Sequence, residues 1–161
     1  MNIFDKWHKI DGPKIEDLED YIRNEISKEY SEKLTIMIGT DSMIKHRRKQ
    51  NQRVISFLTV IAFKRGNNGA HLIKRRDEEV KSHYISIDMK LNGEIQRTSE
   101  LALWVRDVIN IDVEVHLDVN PDEEAGSNRV YKYIKGYFES LGFKTLYKPE
   151  ASISLCADYY L

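Results

Sequence analysis

The sequence predicts an α/β fold built on a five-stranded mixed sheet with helices on its faces, preceded by an extra N-terminal helix. Three observations carry this. Between Leu34 and Arg75, three runs rich in β-branched and aromatic residues follow one another with short breaks. From Met89 onward, helical and strand periods alternate. The chain has 161 residues, 41% of them hydrophobic, which suits one globular domain with a core of its own. A meander of three strands followed by alternating helices and strands suggests a mixed sheet.

The elements follow in order. In "KIEDLEDYIRNEISKEY", Ile15, Leu18, Ile22 and Ile26 recur at spacings of three and four, so the segment reads as an amphipathic helix opened by Asp11 or by Gly12-Pro13. "LTIMIGT", "RVISFLTVIAF" and "AHLIKR" read as the three strands of the meander, joined by a basic loop and by a hairpin at "RGNNG". "MKLNGEIQRTSELALWVRDVI" returns to a helical period, with Leu91, Ile95, Ala102, Val105 and Ile109 on one stripe. "IDVEVHLDVN" alternates apolar and polar residues as a fourth strand. "SNRVYKYIKGYFESLG" runs from a Ser/Asn start to a Gly stop as a helix, "FKTLYKP" is a fifth strand, and "EASISLCADYYL" is a closing helix. No repeat or Pro/Gly/Ser-rich linker divides the chain, so the expectation is one domain over residues 1–161, with 1–33 a helical extension packed on it.

Composition narrows the function classes. Charged residues make up 32%, yet the net charge is -1 and the pI near 6.5, so any nucleic-acid surface must be local rather than spread over the molecule. One cysteine, Cys156, excludes a disulfide framework and suggests a reducing compartment. With no apolar run resembling a signal peptide or a membrane span, a cytoplasmic protein without membrane association is expected.

Four carboxylates look placed. Asp41 ends the first strand in "IMIGTDS", where a turn alone would explain it. Asp118 ends the fourth strand, on the face that also carries Asp112, Glu114, His116 and Asn120; a solvated face is the plain alternative. "DVNPDEEAG" is not a calcium loop, because Glu123 and Arg129 stand where such a loop needs glycine and glutamate. Glu94 projects from the middle of the apolar arc of its helix, which is costly without compensation, although acids also favour helix starts. Glu100 lies nearer the polar side and is its rival. Asp158 sits in "LCADYYL", an ordinary position for an acid near a chain end.

Together the four mean more than they do singly. If the fourth strand lies beside the first, Asp41 and Asp118 become neighbours, and adjacent carboxylates call for a proton or a cation. Oxygen ligands with no His or Cys cluster favour Mg²⁺ or Mn²⁺ over zinc. The element order, the "GTDS" strand end and the placement of the acids resemble the ribonuclease H-like superfamily. More narrowly, "IGTDS", "HLDVNPD…SN" and "KPEA…AD" are similar to the small bacterial YkuK-type family of RNase H-like nucleases. The resemblance covers nearly the whole chain and implies an RNase H-like fold. It makes Asp41 and Asp118 the central metal ligands, Glu94 the helix carboxylate and Asp158 the last acid, in a DEDD-type set holding two Mg²⁺ or Mn²⁺ ions. Tyr159 stands where relatives often have histidine after the last acid.

The function expected is metal-dependent hydrolysis of phosphodiester bonds in RNA, DNA or a hybrid. Lys45, Arg47, Arg48 and Lys49 follow Asp41 closely and are the candidate substrate contacts, with Lys64, Arg65, Lys74, Arg75 and Arg76 as further basic groups. The alternatives are a nucleic-acid-binding module of the same fold with little or no activity, and an interaction protein whose acids face solvent. His116 is either a proton shuttle or a structural residue. Tyr131, Tyr133, Tyr137 and Phe138 read as packing, and Cys156 as an inert thiol.

Overall fold

The sheet has six strands rather than the expected five. The computed structural model describes residues 2–28, 33–47, 52–66, 69–81, 84–121, 128–153 and 156–157. Its elements run β1 (Trp7–Lys9), α1 (Leu18–Ser27), β2 (Leu34–Arg47), β3 (Gln52–Arg65), β4 (Ala70–Lys81), α2 (Ile87–Trp104) continuing into a π-helical turn (Val105–Ile109), β5 (Val113–Leu117), α3 (Asn128–Ser140) and β6 (Lys144–Tyr147). The strand order is β1-β4-β3-β2-β5-β6. β1 to β4 pair antiparallel, and β5 and β6 add in parallel beyond β2.

The additional strand is β1. Three residues carry no usable period, and β1 forms because Trp7 is buried under the sheet edge, its indole Nε1–H donating to Ile3 O at 2.8 Å. The chain then turns back on itself, with Ile15 N donating to Trp7 O at 2.8 Å. The first helix therefore opens later than expected, at Leu18, where Asp17 caps it by accepting from Asp20 N at 3.0 Å. A second correction concerns the basic stretch after Asp41. Lys45, His46 and Arg47 belong to the long strand β2 rather than to a loop, and Arg48 and Lys49 lie outside the described residues. Of the closing helix, Ser152, Ile153, Cys156 and Ala157 are helical. Among the described residues, no helix is long and apolar enough to cross a membrane.

The period of two sorts β2 cleanly. Ile36 and Ile38 face α1, α2 and α3 in the main core, together with Ile61, Phe63, Ile73, Val113, Val115 and Leu117. Met37 faces the other way and packs with Leu58, Val60, Ala62, Ile153 and Ala157.

Between α2 and the sheet the apolar contacts give way to polar ones. Thr98 donates to Thr40 Oγ1 at 2.9 Å, and Thr40 and Thr59 share a bond of 3.1 Å. Beside them Arg97 is buried. Its guanidinium stacks 3.6 Å from the centre of the Phe57 ring and contacts Asp77 at 2.5 Å and Glu79 at 2.9 Å. Arg75, also buried, reaches the same Asp77 at 2.5 Å.

Gly93 makes this stacking possible, because a Cβ there would lie 2.4 Å from Phe57 Cζ. Helix propensity alone would have Gly93→Ala gain about 1 kcal/mol. The ring is pinned under Arg97 and cannot yield, so the substitution should instead cost about 1–3 kcal/mol of stability. Urea denaturation checks the sign, and a stabilised variant would refute the packing account.

Candidate active site

The parallel pairing of β2 with β5 brings the first two acids together. Thr40 is registered with Leu117 as the last pair, and Asp41 and Asp118 are the residues that follow on the two chains. Adjacent strands lie about 4.8 Å apart, so the two carboxylates project from neighbouring backbones. Asp41 is 7% exposed, and its Oδ1 accepts from Ser42 N at 2.7 Å.

Glu94 comes to the same place from α2. It is 6% exposed, and Ser42 Oγ donates to its Oε1 at 2.5 Å. Burial pushes its carboxyl up to about 8, and the charges of Asp41 and Asp118 add to the effect against the Ser42 hydrogen bond and Lys90. Three carboxylates from two strands and one helix therefore lie within electrostatic reach of one another. Glu100 is not among them: half-buried, it accepts from Gln96 Nε2 at 2.9 Å on its own helix.

Asp118 has a side-chain exposure of 22% and forms an ion pair with Lys148, whose backbone N–H also donates to Val119 O at 3.3 Å. Asp118 Oδ1 is closed to solvent and accepts no hydrogen bond among the described residues, so the Lys148 contact is one of charge rather than of aligned hydrogen bonding. Lys148 was not among the residues singled out from the sequence. The quoted "KPEA" contained it, but nothing in the spacing marks a lysine as counterion to an acid 30 positions earlier. Ser42 and Thr98 were missed too, although Thr98 falls four residues after Glu94 on the same buried stripe.

Asp158 and Tyr159 lie outside the described residues. His116 is buried, and its Nδ1 accepts from Ile153 N at 3.4 Å, which places the ring proton on Nε2. Burial holds its pKa below the usual range despite Glu114 nearby, so it is a neutral anchor for the segment leading to the last acid. At His116 the strand face is thus covered, whereas Asp112 on the same face is exposed. Lys45 is half-buried on the Asp41 face and donates to Ser56 Oγ at 3.2 Å. Arg47 closes β2, and Arg48 and Lys49 fall outside the described residues. Arg65 works elsewhere, donating to Glu25 O at 2.5 Å. Tyr131, Tyr137 and Phe138 pack as expected, whereas Tyr133 is exposed, and Cys156 is a free, half-buried thiol.

Among the described residues, no group of three or more His, Cys, Asp or Glu side chains is placed to hold a metal ion. The chemistry of the donors nevertheless fits a hard cation: oxygen ligands, with the charges of Asp41 and Asp118 acting on Glu94. The family description Ribonuclease H-like matches residues 15–161. The chain belongs to the ribonuclease H-like family. Membership gives it a nuclease-type or nucleic-acid-binding fold, and the YkuK-type resemblance is consistent with that description. No curated protein matches the chain, and no solved structure does. In this ribonuclease H-like chain the match begins at Ile15, after β1, so the first strand and its flanks lie outside the matched region.

Proposed function

We propose that the chain is a single-domain, metal-dependent nuclease hydrolysing phosphodiester bonds of nucleic acid, with Asp41, Glu94, Asp118 and Asp158 holding two Mg²⁺ or Mn²⁺ ions. One observation carries the proposal: a buried glutamate, unfavourable for packing, faces two further acids brought in by separate strands. A module that only bound polyanions would gain nothing from collecting carboxylates, which repel phosphate. When bound, the ions supply Lewis acidity at the phosphate and lower the pKa of water. Ser42 fixes the orientation of Glu94, and the Thr40–Thr98 bond fixes the helix that carries it. Lys148 balances Asp118 until a cation takes its place. Lys45, Arg47, Arg48 and Lys49 contribute positive charge for the substrate backbone.

The test is a cleavage panel of single-stranded, duplex, hybrid and branched substrates with Mg²⁺ or Mn²⁺, against EDTA. Cleavage should require metal and fall to background in Asp41→Asn and Asp118→Asn. Equal cleavage by wild type and both variants would remove the assignment. Binding without metal-dependent cleavage of any substrate would leave the inactive binding module. Mn²⁺ should also raise the melting temperature of the wild type, because a ligand of the folded state stabilises it by mass action.

A further inference from the structure

β2 stays paired with β3 as far as Arg47, whereas its pairing with β5 ends at Thr40. From Asp41 outward, β2 therefore has a neighbouring strand on one side only among the described residues. The period of two sends Met43 to one face of this overhang and Ile44 to the other, yet both are exposed, at 37% and 48%. Neither face is closed over there. Across the register from Ile44, Ile55 is fully buried and packs with Phe57 and Ile85. The approach to α2 thus lies over β3 and leaves β2 bare. An open strip runs outward from the acids along the unpaired edge.

Two half-buried lysines flank the strip. α2 runs antiparallel to β2: Thr98 meets Thr40 and Glu94 meets Ser42, so one helical turn answers to two strand residues. The next turn sets Lys90 at the level of Ile44. About 6 Å of helix rise separates it from Glu94, and its charge acts on that carboxyl. Lys45 comes from the Asp41 face, and its ammonium is drawn back to Ser56 Oγ at 3.2 Å. Ser56 is registered with Met43, about 7 Å along the strand from Asp41. Among the described residues, Lys90 forms no ion pair or hydrogen bond. Lys45 forms none beyond the Ser56 hydroxyl, although Glu78 lies further along the same row. Half-buried ammonium groups without a carboxylate partner are costly, and an anion offsets that cost.

We infer that the unpaired edge of β2 is the track along which one strand of nucleic acid leaves the acids, gripped between Lys90 and Lys45. The ammonium groups take phosphates, and the exposed Met43 and Ile44 offer apolar surface to sugars and bases. The strip is the edge of a single β-strand, so it meets one backbone rather than two. Lys90 and the Lys45 ammonium stand at about the same depth beyond the acids, on opposite sides of that edge. At about 3.4 Å of rise per nucleotide in a stacked strand, the phosphates they hold lie about two nucleotides from the one at the acids. The inference rests on the nuclease proposal for that spacing, whereas the grip itself stands without it.

The experiment measures binding of fluorescein-labelled single-stranded DNA, single-stranded RNA and DNA duplex by anisotropy in EDTA, over a range of salt. Wild type is compared with Lys45→Ala, Lys90→Ala, the double variant and Lys45→Arg/Lys90→Arg, circular dichroism confirming that each is folded. Lys132→Ala, at an exposed lysine of α3, controls for overall charge. Each loss of a phosphate contact should reduce the slope of log K against log salt by about 0.7 on a single strand, and the double loss by about 1.4. The double variant should bind about tenfold more weakly or worse, while the arginine pair and Lys132→Ala keep the slope. An unchanged slope in the folded double variant overturns the track, and so does an equal fall in Lys132→Ala. Failure of the wild type to bind either single strand, or tighter binding of the duplex, overturns it as well. Should the double variant not fold, the two single variants decide. Cleavage in Mg²⁺ or Mn²⁺ is scored separately. Metal-dependent cleavage with an unchanged slope would sink the track alone, and a reduced slope with no cleavage would sink the nuclease proposal alone.

Discussion

Metal-free Glu94→Gln protein should melt at a higher temperature than the wild type near pH 8, with the difference closing as pH falls toward 4.5. The buried carboxyl titrates near 8 when folded, against 4.5 for an ordinary glutamate. The folded protein therefore binds a proton that the unfolded chain releases across that interval, and stability drains away as pH rises through it. Near pH 8 the cost is on the order of a few kcal/mol, all of which glutamine avoids. Glutamine keeps an oxygen to accept from Ser42, so the hydrogen bond is not lost with the charge. Activity should move the other way. Under the proposed function, loss of the charge weakens a metal ligand, and metal-dependent cleavage should fall by about a hundredfold or more. Added Mn²⁺ should stabilise the wild type more than the variant. Thermal melts across pH in EDTA, repeated with Mn²⁺, measure both; a variant less stable than wild type near pH 8 would contradict the burial of a strained acid.

Asp77→Ala should cost about 3–5 kcal/mol, a large share of the roughly 5–15 kcal/mol that holds an ordinary domain folded. Burial pushes the Asp77 carboxyl up, but the hydrogen bonds and charges of Arg97 and Arg75 together outweigh it and hold its pKa below the usual range. That stability is present above the ordinary carboxylate pKa and is lost as pH falls through the lowered value. Removing the carboxylate strands two buried guanidiniums, and the remaining Glu79 is more exposed than the partner it would replace. The pair Asp77→Ala/Arg97→Met should recover part of the loss, because one of the uncompensated charges leaves with its partner. Urea denaturation of the single and double variants separates charge from volume. A loss below about 1 kcal/mol in the single variant would show that the network is a surface ornament.

The chain reads well from its sequence where periods are long. The meander, the helix carrying Glu94 and the alternation on β5 all follow from residue patterns, and the helical wheel alone set Glu94 above Glu100. Short or charged pieces do not read. β1 is three residues held by the burial of Trp7, a tertiary event without a local signature. Lys45 to Arg47 look like a loop because they are charged, yet pairing with β3 as far as Gln52 keeps them extended. The site is legible as a list of acids but not as a place. The register that sets Asp41 beside Asp118 depends on how two strands slide past each other, and the sequence has no term for that. Nor does it show that Lys148 would come to rest on Asp118.

That ion pair bears on the order of events in the life of the molecule. Proteins whose ligands cannot tolerate one another without a metal must wait for it before they fold. Here an ammonium group from the end of β6 occupies the attention of one acid, and a retained proton quiets another. Under the two-ion function proposed above, the chain would thus fold and persist with no divalent ion in hand and become active only on capturing one.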